Sequence, residues 1–411
     1  AWRRSTLRSS SMRSKRRRKR RTTQPPEAAA SRSPVKVAVH GSIAEISADD
    51  WNSLAGSDSP FLRHEFLDLA EQTRCVSPEQ GWSPRHLTIG RQGSLRAAMP
   101  LYEKSHSWGE FVFDWAWANA YEQAGLSYYP KLTSAVPFTP APSRRLLLAD
   151  PDDTEAATAL IAAAVQLAIT SECSSVHFLF PSPEEIPLFE SAGLLVRKDC
   201  QFHWHNRGYN SFDDFLATFT ASKRKKAKRD RRRAIENGIT FRHLKGDQID
   251  DALWSQVYAL ISRTFMRRGS LPYFNETFFK SASRQLPDNF LVVLAEQDGV
   301  AVAAAVFFDS DEVLYGRYWG SNGHYDALHF ETCYYQGIDY CIANGRRVFE
   351  PGTQGEHKIS RGFSPQPTWS AHWLAHPEFA DAVGRYLDEE ARHVERYMDA
   401  VDARSPYKND E

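Results

Sequence analysis

The chain has 411 residues, 42% of them apolar and including 11 Trp, 16 Tyr and 24 Phe, which is enough for two or three globular domains with sizeable cores. No apolar run approaches the ~18 residues needed to cross a membrane, and five scattered cysteines (Cys75, Cys173, Cys200, Cys333, Cys341) form no CxxC pair, which argues against a disulfide scaffold or a structural zinc site and fits a reducing compartment. The formal net charge of +0 hides an asymmetry: residues 1–21 hold 11 Lys or Arg and no acid, leaving 40 basic and 51 acidic residues, a net of −11, on the rest of the chain.

Residues 1–35 are rich in Arg, Ser and Pro and cannot bury enough surface to offset ordering entropy, so they read as a disordered basic extension. The run Lys15 to Arg21 has the composition of a nuclear-localisation or nucleic-acid patch. An Arg/Ser-rich, acid-poor start is equally that of an organelle transit peptide. The folded body begins near Val35. Val37–Val39 reads as a strand, Asp49–Leu54 as a helix capped by Ser47, and Phe61–Thr73 as a second helix. His86–Gly90 and Leu95–Tyr102 read as strands joined by a Gly-containing turn, and Phe111–Trp117 as a third. An aromatic loop region follows over Asn119–Pro140. Thr154–Thr170 is an Ala-rich helix started by Asp152 or Asp153, Ser175–Phe180 a buried strand, Glu184–Ser191 a short helix, and Leu194–His205 an alternating strand.

Ser222–Asn237 differs sharply from its surroundings. Nine of its positions are Lys or Arg, and Gly238 is a suitable C-cap. After Ile239–Leu244, helices are predicted over Asp247–Arg268 and Asn275–Leu286. Three strands follow, Phe290–Glu296, Val300–Phe308 and Val313–Trp319, then a loop, a helix over Phe330–Ala343, a strand over Arg346–Phe349 and a charged helix over Phe379–Val401. The stretch from His86 through Trp117 to Tyr128-Tyr129 resembles that from Leu291 through Trp319 to Tyr334-Tyr335 at an offset close to 200 residues. Two copies of one α/β domain account for the length. The boundaries are then 1–35 (extension), 36–205, 206–378 and 379–411 (C-terminal helix and tail).

The segment Phe349-Glu-Pro-Gly-Thr-Gln-Gly-Glu-His-Lys-Ile-Ser-Arg-Gly-Phe363 carries three glycines and a proline, which exclude a regular helix. It also carries two carboxylates, an amide, an imidazole and two cations, on a loop that follows a strand, where catalytic groups tend to sit. Three antiparallel strands followed by a helix and a strand is the order of the GNAT acyltransferase core. With the motifs Tyr128-Tyr-Pro-Lys-Leu132, Val136-Pro-Phe-Thr-Pro140, His329-Phe-Glu-Thr-Cys-Tyr-Tyr-Gln336 and Phe349–Phe363, the chain over residues 37–378 resembles the FemAB-like, GNAT-superfamily predicted N-acyltransferases of the peptidoglycan biosynthesis or recognition type.

That resemblance implies two tandem GNAT-like domains with mixed, mostly antiparallel sheets flanked by helices. The active site would lie in the second, where the strands Val313–Trp319 and Arg346–Phe349 splay apart around the donor carbonyl. Acyl transfer to an amine needs a base, oxyanion stabilisation and a positioned donor. The expected catalytic groups are Glu350, Glu356, His357, His329 and Glu331. Gln354, Lys358, Arg361, Tyr334 and Tyr335 are expected to bind substrate. Cys333 reads as a small buried residue, with nucleophile the alternative. Loop Gly320–His329 opens a helix N-terminus suited to phosphate, but it lacks the superfamily's Gln/Arg-x-x-Gly-x-Gly/Ala pattern. The donor is therefore acyl-CoA or, since Fem-type enzymes use it and carry a comparable basic helix, aminoacyl-tRNA. Lys223, Arg224, Lys226, Arg229 and Arg233 would then hold the polyanion, tRNA or a nucleotide-linked precursor. The acceptor is an amine, such as a cell-wall precursor. No metal-ligand spacing is present. The expected location is the cytoplasm, or an organelle if residues 1–35 are a transit peptide. A different class of reading is a non-catalytic binding protein on a degenerate acyltransferase fold, which recognises a peptidoglycan precursor or tRNA and leaves the polar loop idle.

Overall fold

The computed structural model describes residues 35–236, 238–353 and 355–408. The basic run Lys15 to Arg21 and the side chain of Gln354 lie outside them. The first half of the described chain runs β1 (Val37–His40), α1 (Ala48–Ala55), α2 (His64–Gln72), β2 (Trp82–Pro84), β3 (His86–Arg91), β4 (Ser94–Met99), β5 (Tyr102–Lys104), α3 (Trp115–Gln123), β6 (Lys131–Ser134), β7 (Leu147–Leu148), α4 (Thr154–Thr170), β8 (Ser175–Leu179), α5 (Ile186–Ser191) and β9 (Leu195–His205). The second half runs α6 (Phe212–Ala217), α7 (Ala221–Glu236), β10 (Ile239–Lys245), α8 (Asp251–Met266), α9 (Glu276–Gln285), β11 (Phe290–Gln297), β12 (Val300–Asp309) and β13 (Val313–Ser321). A short helix α10 (Leu328–Phe330) then passes through a π turn (Glu331–Tyr335) into α11 (Gln336–Ala343), followed by β14 (Val348–Glu350), β15 (Ser364–Leu374) and α12 (Pro377–Asp402).

Helix starts follow side-chain caps. The side chains of Ser47, Asp153, Asp250 and Asn275 accept from the backbone N–H groups of Asp50, Ala156, Leu253 and Phe278, satisfying donors that the first turn leaves orphaned. β11 reads Phe-Leu-Val-Val-Leu-Ala and buries all six residues. Both faces of that strand are covered, which is why its apolar run is continuous rather than alternating.

Among the described residues the strands form a four-stranded sheet, β1-β3-β4-β7, and an eleven-stranded sheet, β10-β11-β12-β13-β14-β9-β15-β8-β6-β5-β2. Two neighbouring pairs are parallel, β13 with β14 and β6 with β8, and each encloses a helical crossover. This is the GNAT-like order in both halves. The halves are interlocked, however. β15, from beyond the polar loop, pairs antiparallel with both β8 and β9, and β9 pairs with β14 on its other side. No helix among the described residues is long and apolar enough to cross a membrane.

One expected strand is absent and one strand appears where none was expected. Phe111–Trp117 is not a third strand. A non-repetitive segment ends at Asp114 and α3 begins at Trp115, because Trp117 and Tyr121 one helical turn apart bury together against Tyr128, Leu374, Val383 and Leu387. Ser364–Leu374, left unassigned by the sequence, is an eleven-residue strand despite Pro365 and Pro367.

Candidate active site

β13 and β14 pair for three residues only, Val313 with Val348, Leu314 with Phe349 and Tyr315 with Glu350. β14 then ends and the chain turns away through Pro351 and Gly352, the latter at φ +91 where a side chain would be strained. β13 continues to Ser321 with no strand beside it on that side among the described residues. The parting opens a cavity of about 540 Å³. One wall is Gly316–Trp319 of β13, the opposite wall Pro351–Thr353. His329, Cys333 and Tyr334 come from the helix after β13, and His357 and Lys358 from the turn Glu356–Arg361. The C-terminal end of α8 adds Phe265 and Arg268. The first half of the chain closes the cavity with Ser107, Trp108, Phe111, Phe113 and Trp115. Among the described residues no Asp or Glu lines it.

Lys358 is a buried amine in this space. Its side chain is 1% exposed and its Nζ donates to the Gly352 carbonyl at 2.6 Å. Burial is the main influence on its ammonium, Glu350 opposes it and Arg317 adds to it, and together they bring the pKa down to about 7. Glu350 and Arg317 form a buried ion pair at 2.6 Å where the two strands part. Burial pushes the Glu350 carboxyl up and the arginine pulls it back. His357 Nε2 meets the Tyr334 hydroxyl at 2.8 Å, and burial lowers the imidazole pKa. His329 packs edge-on to Trp319 with centroids 4.9 Å apart, and burial brings it down to about 4, so it is neutral near pH 7.

The structure brings together His329, Tyr334, His357 and Lys358, and puts Glu350 directly behind them. It does not bring in Glu331, Tyr335, Glu356 or Arg361. The π turn rotates successive side chains apart, so Cys333 and Tyr334 face the cavity while Glu331 and Tyr335 face α7. Glu331 is buried against Arg231 and Gln336. Glu356 is exposed and bonds Tyr397 and Arg404 at the C-terminal helix. Arg361 is buried, pairs with Asp230 at 3.3 Å and stacks over Phe330 at 3.4 Å, so it ties α7 to the loop. Cys333 has its thiol pKa raised by burial, which removes the thiolate a nucleophile needs. Arg317 and the aromatic wall at 107–115 were not singled out from the sequence. Arg317 sits inside a predicted strand, and nothing short of the splay reveals that it faces Glu350.

The basic helix α7 is anchored on one face and open on the other. Ala227, Asp230 and Ala234 are buried, while Arg231 bridges Glu331 and Asp339. Arg233 pairs with Asp326, but Lys223, Arg224, Lys226 and Arg229 have no carboxylate partner among the described residues. A second cavity of about 520 Å³, including Arg267, Ser321 and Gly323, adjoins the first and shares Trp319 and His329 with it.

In the first half, near the end of β8, Arg145 is fully buried and its guanidinium donates to the carbonyls of Leu179, Phe180 and Ala141. Glu185 behind it accepts from the backbone N–H of Arg145 and Leu146.

A family model described as FemAB-like, peptidoglycan biosynthesis/recognition, matches residues 42–409. A crystal structure of FemX superposes with a TM-score of 0.53 at 12% identity, covering 85% of this chain and 100% of that one. The C-terminal domain of a putative lysylphosphatidylglycerol synthetase from Agrobacterium fabrum gives 0.52 at 12% identity, covering 83% and 96%. A tandem GNAT protein from the clavulanic acid biosynthesis pathway gives 0.45 at 10% identity, covering 84% and 99%. No curated protein matches the sequence.

Proposed function

The chain belongs to the FemAB-like family, and from that premise we propose that it is an N-acyltransferase that moves an aminoacyl or acyl group onto an amine acceptor such as a cell-wall precursor. The observation that carries this is the open gap between β13 and β14 with the Lys358 amine inside it. The non-catalytic alternative, a binder of precursor or tRNA on a degenerate fold, is favoured by a filled gap between β13 and β14.

The donor carbonyl lies between Gly316–Trp319 and Pro351–Thr353. The acceptor nitrogen attacks it, the new N–C bond forms, the acyl–oxygen bond of an ester donor breaks, and the nitrogen releases a proton. With no carboxylate lining the cavity among the described residues, Lys358 takes that proton and returns it to the departing oxygen, which leaves as a hydroxyl, since an amine of pKa about 7 is deprotonated in about half the molecules at neutral pH. Glu350 and Arg317 hold the strands at the point of parting and set the field on Lys358. His357 with Tyr334 forms the wall beside it. Aminoacyl-tRNA is the donor that α7 favours: Lys223, Arg224, Lys226 and Arg229, spread around the helix without a carboxylate partner among the described residues, suit a phosphate backbone. Such a donor puts the reaction in the cytoplasm.

The test combines binding and turnover on the full chain. Isothermal titration with aminoacyl-tRNA, acyl-CoAs and a UDP-linked precursor identifies the donor, and tRNA binding is expected to weaken steeply with salt and with Lys223, Arg224, Lys226 and Arg229 changed to Gln. Transfer of labelled aminoacyl groups is expected to rise with pH through about 7 and to fall by about 10²-fold or more in Lys358→Met and equally in Lys358→Arg, because arginine cannot accept a proton. Substantial activity in Lys358→Arg would move Lys358 from base to oxyanion donor. Full activity in both variants removes the site assignment.

A further inference from the structure

Among the described residues twelve large hydrophobic side chains stand exposed, and five of them fall in two segments that frame the mouth of the cavity: Trp108 (50% exposed), Phe113 (60%) and Trp115 (45%) on one, Met266 and Leu271 on the other. Trp108, Phe113 and Trp115 also line the cavity itself. The two segments touch through Tyr273, which lies 6.0 Å from Trp108 and 5.5 Å from Phe111 between ring centroids.

These aromatics are held outward. The same segment turns Ser107, Glu110 and Asp114 inward onto Lys131, which bonds all three and is fully buried. Tyr128 adds a 2.7 Å bond to Asp114. Phe111 adopts φ +62, a left-handed conformation that is strained for a bulky residue and persists only where the surroundings fix it. An anchored segment that displays Trp and Phe to solvent incurs a hydration cost that burial elsewhere would avoid.

Cations accompany the apolar groups. Arg268 is exposed, lines the cavity and has no carboxylate partner among the described residues. Arg267 is exposed beside it and donates to the Ser321 carbonyl in the adjoining cavity.

We propose that this rim docks on a lipid bilayer bearing anionic headgroups, with Trp108, Phe113, Trp115, Met266 and Leu271 entering the interface and Arg267 and Arg268 meeting the phosphates. Trp beside cationic side chains is the composition of membrane-interface belts and interfacial anchors. The position of the patch favours a bilayer over a folded protein. The patch surrounds an open cavity, which a rigid partner would cap, whereas a bilayer covers the rim and still offers mobile headgroups to the opening. The inference stands on this surface and not on the group transferred.

The experiment uses the full chain and sedimentation with vesicles of phosphatidylglycerol and phosphatidylcholine, at low salt and at a salt high enough to screen the basic run Lys15–Arg21. The expected result is binding strengthened by phosphatidylglycerol at low salt, with a remainder at high salt that rests on the apolar side chains. Phe113→Ser with Leu271→Ser is expected to weaken it about tenfold or more, and Arg268→Glu about fivefold or more. All three positions are exposed, and unchanged melting temperatures check that the variants fold. In parallel, acyl-chain-brominated vesicles are expected to quench tryptophan emission, and Trp108→Phe with Trp115→Phe to abolish most of the quenching. Equal binding by rim variant and parent overturns the proposal, as does quenching unaffected by the tryptophan changes. Loss of a dimer in the rim variant, without vesicle binding by the parent, overturns it in favour of a second copy of the chain.

Discussion

A lysine amine buried with one carbonyl for company is costly to the fold that holds it. In the unfolded chain Lys358 keeps its proton up to its ordinary value of 10.5, while in the fold it does so only up to about 7. Between those limits the unfolded state binds more protons, so stability rises with pH across this window and the full penalty is present below it. Lys358→Met is therefore expected to be more stable than the parent by on the order of a few kcal/mol at pH 6, with the gap closing as pH approaches 10. Melting temperature against pH for the two proteins measures this. A gap that stays constant across that range means the lysine is solvated. The sequence marked Lys358 as a substrate-binding group and placed the base among Glu350, Glu356, His357, His329 and Glu331; its burial is what moves the proposed base to the lysine. The surroundings of that lysine were not legible. Glu331 and Glu356 looked equally apt, but a one-residue π insertion turned the first toward Arg231 and a salt bridge to Arg404 pulled the second onto the C-terminal helix. Side-chain direction inside a loop or a bulge has no period to read.

At the scale of elements, the cavity depends on how closely α8 lies on β13. A Cβ placed on Gly320 would stand 2.0 Å from the Leu260 carbonyl oxygen, in the backbone of α8. No rotamer change relieves a clash with backbone, so Gly320→Ala is expected to lift α8 from the sheet and cost about 3 kcal/mol or more. Chemical denaturation reads that loss, and wild-type stability in the variant would mean that α8 shifts freely over β13. Capped helices and buried strands were legible, because capping oxygens and apolar runs act within a few residues. α4 follows from Asp152 or Asp153 before it and α8 from its apolar spacing, although α8 starts at Asp251 behind the cap Asp250 rather than at the expected Asp247. Phe111–Trp117 misled because alternating aromatics suit a strand, while burial of Trp117 and Tyr121 on one side suits a helix, and tertiary packing decided. β15 was hidden by Pro365 and Pro367, which argue against a strand wherever both edges are paired.

For the whole molecule, the decisive fact is that β9, the last strand of the first half, has only second-half strands beside it, β14 and β15. Residues 35–408 are therefore expected to unfold together, and the transition seen by tryptophan fluorescence is expected to coincide with that seen by circular dichroism. Two separated transitions would show that the halves melt independently. The same interlock bears on synthesis. A ribosome delivers the chain from the N-terminus, and until residue 374 has emerged the slot between β8 and β9 stays empty. Each of those strands then presents an unpaired edge, a template for association with another nascent chain. The first half thus waits for more than 150 residues of later sequence before its sheet closes, which makes it a natural client for chaperones during translation and places the most aggregation-sensitive moment of this protein's life before its final helix exists.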